Sequence, residues 1–193
     1  MKKSYSPKND KNKVSNYGIK SLILVFGFCF VFSQVKTVFA SPITEDNVLQ
    51  LINQERINYN LKPLKEDAEL DHASGMKSRD MINRNYFDHY AFGLTPWIFI
   101  QNSGYNYSVA GENLAMDFAT SEGMVQAWMN SPEHRSNILN PHFEDTGIGV
   151  VKGAYTQDGV THETTIVTNM FGQKKSKVVV YFNNLLNSFL NIL

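Results

Sequence analysis

The chain has 193 residues, 18 basic and 18 acidic side chains, 42% hydrophobic residues and a single cysteine, Cys29. One thiol excludes an internal disulfide framework, and the net-acidic part that follows residue 40 lacks a basic stripe and is a poor match for a nucleic-acid backbone. These bulk values conceal an uneven distribution along the chain.

The first 40 residues hold seven of the 18 basic residues and one of the 18 acidic ones. Lys2, Lys3, Lys8, Lys11, Lys13 and Lys20 precede an apolar run at 21–33, and Val38-Phe39-Ala40 follows with small-residue spacing. That order is the pattern of a secretory signal. The run of 13 residues is short of the roughly 20 that span hydrocarbon as a helix, which favours cleavage after Ala40 over a retained anchor. Phe28 before Cys29 is too bulky for lipoprotein processing. Residues 41–193 then carry 11 basic against 17 acidic side chains, a net of −6, and contain no cysteine. Residues 41–173 suit one domain held by packing alone.

Thr44 is a candidate N-cap for a first helix, with Val48, Leu51, Ile52 and Tyr59 on one face and Glu55 among them. Asn60 and Pro63 close it. A second helix is predicted at 66–83, with Leu70, Ala73, Ser74 and Met81 on one face and His72 pointing to solvent. The stretch 86–119 is aromatic and turn-rich without a sustained period, and reads as loops around short elements. A third helix starts at Ser121, carries Met124, Val125, Trp128 and Met129 at packing offsets, and ends at Ser131-Pro132. The same dipeptide begins a fourth, with Glu133 second and His134 third. The positive end of that helix disfavours an imidazolium, which biases His134 toward its neutral form. Gly147-Ile148-Gly149, a turn at Asp158-Gly159 and the alternating run 161–171 predict a β-hairpin. Gly147 and Gly149 imply close approach of another backbone. His142 and His162 are expected on the surface.

Set side by side, Asn53-Gln54-Glu55-Arg56, Leu61-Lys62-Pro63-Leu64, Phe87-Asp88-His89, Gly111-Glu112-Asn113, Trp128, Ser131-Pro132-Glu133-His134-Arg135, Gly147-Ile148-Gly149 and Phe171-Gly172 resemble the bacterial branch of the CAP superfamily. That superfamily includes the cysteine-rich secretory, antigen 5 and pathogenesis-related proteins. The resemblance covers residues 48–172. It implies an α+β fold, a three-layer α-β-α sandwich with a small antiparallel sheet, and a cavity lined by two histidines and two glutamates. His89, Glu112 and His134 match three of these. Glu133 is the candidate for the fourth place, although adjacent helical side chains diverge by about 100°.

Two imidazoles beside a carboxylate suit zinc or another divalent ion. A hydrogen-bonded cluster that fixes the loops is the other use of the same residues. The resemblance implies a secreted, non-enzymatic binding module for an extracellular, lipid or cell-surface ligand. The alternative is a metal-dependent hydrolase, a peptidase or esterase, with Glu112 as general base. No His-Glu-x-x-His helix and no Gly-x-Ser-x-Gly elbow accompanies it.

Residues 174–193 begin with Lys174, Lys175 and Lys177 and continue as an apolar run at 178–193 with Asn183, Asn187 and Asn191 on one helical stripe. Sixteen residues are short for a span and read as a helix lying on a membrane surface or a partner.

Overall fold

The computed structural model describes residues 40–176, so the expected signal segment and the apolar tail at 178–193 lie outside the described residues. Helix α1 runs Glu45–Asn58, and Thr44 caps it by accepting from Asn47 N at 3.3 Å. Its buried stripe is Val48, Ile52 and Arg56, at i, i+4 and i+8. Tyr59, expected on that face, lies just beyond the helix and is 47% exposed.

Arg56 takes the inward position, at 1% exposure, because its guanidinium meets four carbonyls. Nε donates to Lys62 at 2.8 Å, Nη1 to Ile138 at 2.7 Å and Asn140 at 3.0 Å, and Nη2 to Phe143 at 3.2 Å. Burial lowers its pKa from the usual arginine value. The loop after α1 and the stretch 138–143 are thus tied to one side chain.

Strand β1, Lys65–Glu66, pairs parallel with Asp145–Thr146. Helix α2, Ala68–Arg84, therefore starts slightly later than the pattern predicts, with Asp67 as cap. Leu70, Ala73, Ser74 and Met81 are all fully buried, and His72 faces solvent, as expected. Helix α3 spans Pro96–Asn102 and strand β2 spans Tyr107–Met116. The sequence pattern reads this region as loops around short elements, but β2 is ten residues long. Gly111 to Ala115 are buried on both faces of the sheet, which removes the polar/apolar alternation that announces a strand. Helices α4, Ser121–Asn130, and α5, Pro132–Ile138, follow, then the hairpin of β3, Asp145–Gln157, and β4, Val160–Lys174. Its turn is the two-residue pair Asp158-Gly159, with φ of +52° and +78°, as a primed turn requires.

The four strands lie in the order β1-β3-β4-β2, antiparallel apart from the short β1–β3 pair, so the sheet is mixed rather than wholly antiparallel. Alternate residues of β4 feed opposite layers. Val167 and Phe171 pack with Val48, Ile52, Trp128 and Ile138 from α1, α4 and α5. Met170 packs with Leu70, Ala73 and Ile100, and Ile166 with Met81, from α2 and α3. These are the three layers.

The contact between α2 and β3 is backbone on backbone. A Cβ on Gly147 would lie 2.0 Å from the Leu70 carbonyl carbon, and one on Gly149 2.4 Å from Gly75 N. Ser74 and Ser78 use this proximity, each donating at 2.9 Å to the carbonyl of Gly147 and Gly149 respectively. At Gly153 the nearest atom is instead a side-chain methyl, Cγ2 of Ile82 at 2.7 Å, and no backbone atom lies as close. Gly149→Ala is therefore expected to lower unfolding free energy by about 3 kcal/mol, and Gly153→Ala, which meets a side chain rather than backbone, by about 1–2 kcal/mol. Urea denaturation of the two variants checks this, and equal losses would contradict the backbone contact.

Candidate functional site

The site forms along β2, the edge strand. Glu112 points into the α2 layer and Asn113 into the α5 layer, so the loop bearing His89 and the helix bearing His134 reach the same strand from opposite faces. The carbonyls of Glu112 and Leu114, two residues apart, accept from Asn137 Nδ2 at 3.0 Å and Trp128 Nε1 at 2.9 Å. Edge-strand carbonyls that lack a neighbouring strand are thereby satisfied by the α4–α5 corner. Asn113 Nδ2 donates to the His134 carbonyl at 3.0 Å and its Oδ1 accepts from Asn137 at 2.8 Å. Gly111 is required beside this network, since a Cβ there would lie 2.8 Å from the Phe143 ring.

On the other side, the His89 loop is fixed by Lys77. This lysine is fully buried on α2, and its Nζ donates to the carbonyls of Asp88 at 2.7 Å and His89 at 3.1 Å and to Tyr86 Oη at 3.3 Å. Burial lowers its pKa, with the charge of Glu112 the largest opposing effect. The pattern of the sequence places neither Lys77 nor Asn137 at the site. Lys77 does lie on the face of Leu70, Ala73, Ser74 and Met81, and a cation on an apolar stripe is the available signal.

Glu112 is 6% exposed, and its Oε1 lies 2.6 Å from His89 Nδ1. Its second oxygen, Oε2, is buried with no hydrogen-bond partner among the described residues. Burial raises the carboxyl pKa, and the His89 hydrogen bond pulls against it. That same bond holds the His89 imidazole above its usual range, against burial. His134 is shifted the opposite way, first by burial and then by the charge of His89. The direction is the one expected at a helix start. Ser131 leaves the α5 backbone uncapped and places Oγ 2.9 Å from His134 Nδ1 instead. Glu133 is exposed and reaches His134 only through its charge. His142 is exposed, and His162 lies 3.3 Å from Asp117 at the surface, away from this cluster. Among the described residues, no group of three or more His, Cys, Asp or Glu side chains is placed to hold a metal ion.

The structure therefore brings His89 and Glu112 into direct contact and sets His134 close enough to feel the charge of His89. The sequence model of the cysteine-rich secretory protein family, CAP, matches residues 49–171. The chain belongs to this family. Its CAP domain lacks the cysteines of the family's name, since Cys29 precedes it.

The domain is 44% identical over 110 residues to YkwD of Bacillus subtilis, covering 56% of this chain and 42% of that protein. It is 30% identical over 117 residues to the membrane protein YlbC of the same organism, covering 60% and 34%. The matched part of the chain thus spans less than half of either relative. Among solved structures it is similar to an extracellular SCP-domain protein of Bacillus anthracis, with TM-score 0.58, 29% identity and coverage of 67% of this chain and 40% of that one. An outer surface protein of Borrelia burgdorferi shares the fold, with TM-score 0.57 and 23% identity over 71% of this chain and 100% of that one. Among the described residues, no helix is long and apolar enough to cross a membrane.

The opposed shifts predict a split titration. His89 should hold its proton to a pH above the ordinary histidine value of about 6.5, and His134 should lose its proton below it. By linkage, the His89 contribution to stability is complete below that value and fades as pH rises through the folded-state pKa. The His134 contribution is present above it and is lost on acidification. An NMR titration of the ring Cε1 protons checks the order. Glu112→Gln should lower the His89 midpoint, and an unchanged midpoint would contradict the assigned cause.

Proposed function

We propose that the chain is an exported CAP domain that binds a ligand outside the cell. In this reading a divalent ion such as zinc is held by Nε2 of His89 and Nε2 of His134. The observation that carries it is the 2.6 Å contact of buried Glu112 with His89 Nδ1. A carboxylate behind one ring nitrogen fixes the tautomer and turns the other nitrogen outward, as second-shell carboxylates do for metal-binding histidines. Ser131 occupies Nδ1 of His134 in the same way, and Nε2 is left to accept when Nδ1 donates to the serine. The donor set fits an open site with two protein nitrogens, whose affinity falls short of that of closed four-ligand zinc sites. The bound ion would supply a positive centre for an oxygen or nitrogen of the ligand. A lipid or cell-surface component is the ligand class that the family resemblance suggests.

The hydrolase reading needs Glu112 as a base facing water. Its Oε1 is committed to His89 and the group is nearly fully buried, which favours the orienting role.

Calorimetry of the purified protein should show saturable zinc binding that is lost in the His89→Ala/His134→Ala double variant. Identical heats from both would remove the metal reading. Turnover of a peptide and ester panel by the zinc-loaded wild type but not the variant would instead establish the hydrolase.

Export is supported by the lysine-rich, apolar N-terminal segment and by the extracellular and outer-surface descriptions of the two structural neighbours. Protein recovered from the medium should begin at Ser41 on N-terminal sequencing. Recovery only as the full-length chain inside the cell would refute it.

A further inference from the structure

Two stretches shared with the family, Asn53-Gln54-Glu55-Arg56 and Leu61-Lys62-Pro63-Leu64, contribute nothing to the histidine site. They meet at a separate cleft of about 420 Å³, whose lining includes Arg56, Asn60, Lys62, Lys65 and Glu144. Four of the five N–H donors of the buried Arg56 go to carbonyls, and none of the four acceptors is a carboxylate. Among the described residues, no ion pair is formed by Arg56, Lys62 or Lys65. Three cations therefore share the cleft with one carboxylate, Glu144, which is exposed and accepts from Gln173 Nε2 at 3.1 Å. The sign is opposite to that of residues 41–193 as a whole, which carry a net −6.

Carbonyl dipoles stabilise a buried guanidinium without cancelling its charge, so its field persists into the adjoining cleft. The backbone that carries the two lysines is also held in place. Asn53 brackets Leu64, accepting from its N–H at 2.7 Å and donating to its carbonyl at 3.0 Å. The Lys62 carbonyl is bound to Arg56, and Lys65 N donates to the Glu144 carbonyl at 2.9 Å. Only the lysine side chains remain to be ordered when an anion enters, which keeps the entropic cost of binding low.

We infer that this cleft binds a small anionic group, a phosphate or a carboxylate, with Lys62 and Lys65 as direct contacts and Arg56 as a fixed positive charge behind them. Phosphate and carboxylate share the oxygen acceptors and negative charge that two ammonium groups recognise.

Inorganic phosphate and acetate, titrated separately into the purified full chain, test the assignment, with the backbone amides of residues 60–65 followed by NMR. At least one anion should give saturable shifts there. A response to phosphate alone identifies a phosphate site, and to acetate alone a carboxylate site. Lys62→Ala/Lys65→Ala should weaken the response by about tenfold, from the loss of two charge-assisted contacts. Lys62→Arg/Lys65→Arg should retain it, Glu144→Gln should strengthen it, and Lys152→Ala, outside the cleft, should leave it unchanged. Both cleft lysines are exposed, so the alanine variant should keep the wild-type thermal midpoint. No saturable shift with either anion, or equal affinity in the wild type and the folded alanine variant, would overturn the inference.

Discussion

The candidate site depends on how the free edge of the sheet is closed. Among the described residues, strand β2 has β4 on one side and no strand on the other, and an edge carbonyl buried without a donor is costly. Trp128 and Asn137 meet this demand at Leu114 and Glu112. Those two side chains lie on consecutive helices, so satisfying two carbonyls fixes both α4 and α5 against the strand. His134 stands in the first turn of α5 and is placed as a consequence, with Asn113 holding its carbonyl. The strand alternation then turns Glu112 to the opposite layer, where the loop after α2 offers His89. Two histidines from different layers are thus gathered around one strand by backbone requirements that involve no ligand.

Two buried cations work in parallel with this closure. Arg56 on α1 and Lys77 on α2 each turn inward to collect carbonyls, Arg56 from the end of α5 and the loops beside it and Lys77 from the loop after α2. A neutral amide of similar size could fill either space but offers two N–H donors, fewer than the three of an ammonium or the five of a guanidinium. The arrangement leaves positive charge inside the domain. At Lys77 the charge of Glu112 is close enough to oppose the effect of burial, whereas for Arg56 burial is the cause of the lowered pKa. That difference links Lys77 to the histidine site and gives the Arg56 cleft its separate electrostatic character.

These cations also mark what the sequence pattern does not reveal. Helices α1, α2 and α4 are legible because each buries one face, α5 because Ser131-Pro132 marks its start, and the hairpin because the Asp158-Gly159 turn needs two positive φ angles. The paired glycines of β3 are legible as a close backbone approach, and α2 supplies that backbone. Strand β2 is hidden by burial on both faces, and β1 is too short to show a period. Polar periodicity counts Arg56 and Lys77 as solvent residues, because the carbonyls that receive them come from distant or irregular segments. For the site, the proximity of His89, Glu112 and His134 is legible only through family resemblance. No spacing rule connects a loop, an edge strand and a helix start.

Burial of Glu112 orders the chemistry of the cluster. Taken almost fully out of water, the carboxylate is stabilised by a proton donor, and His89 supplies it, so the His89 ring tends to keep its charge. That charge in turn opposes a second proton on His134, which burial already disfavours. The two imidazoles are therefore unlike: one leans toward the charged form and the other toward the neutral one. In the proposed metal reading, an ion would have to displace the proton on His89 Nε2 while the one shared with Glu112 stayed, and His134 would be the readier donor. Among the described residues Oε2 of Glu112 has no partner, and the negative potential of the carboxylate behind His89 favours the protonated ring. Under that proposal, a proton and a metal ion would compete for His89, and one buried carboxylate on an edge strand would make the outcome depend on pH.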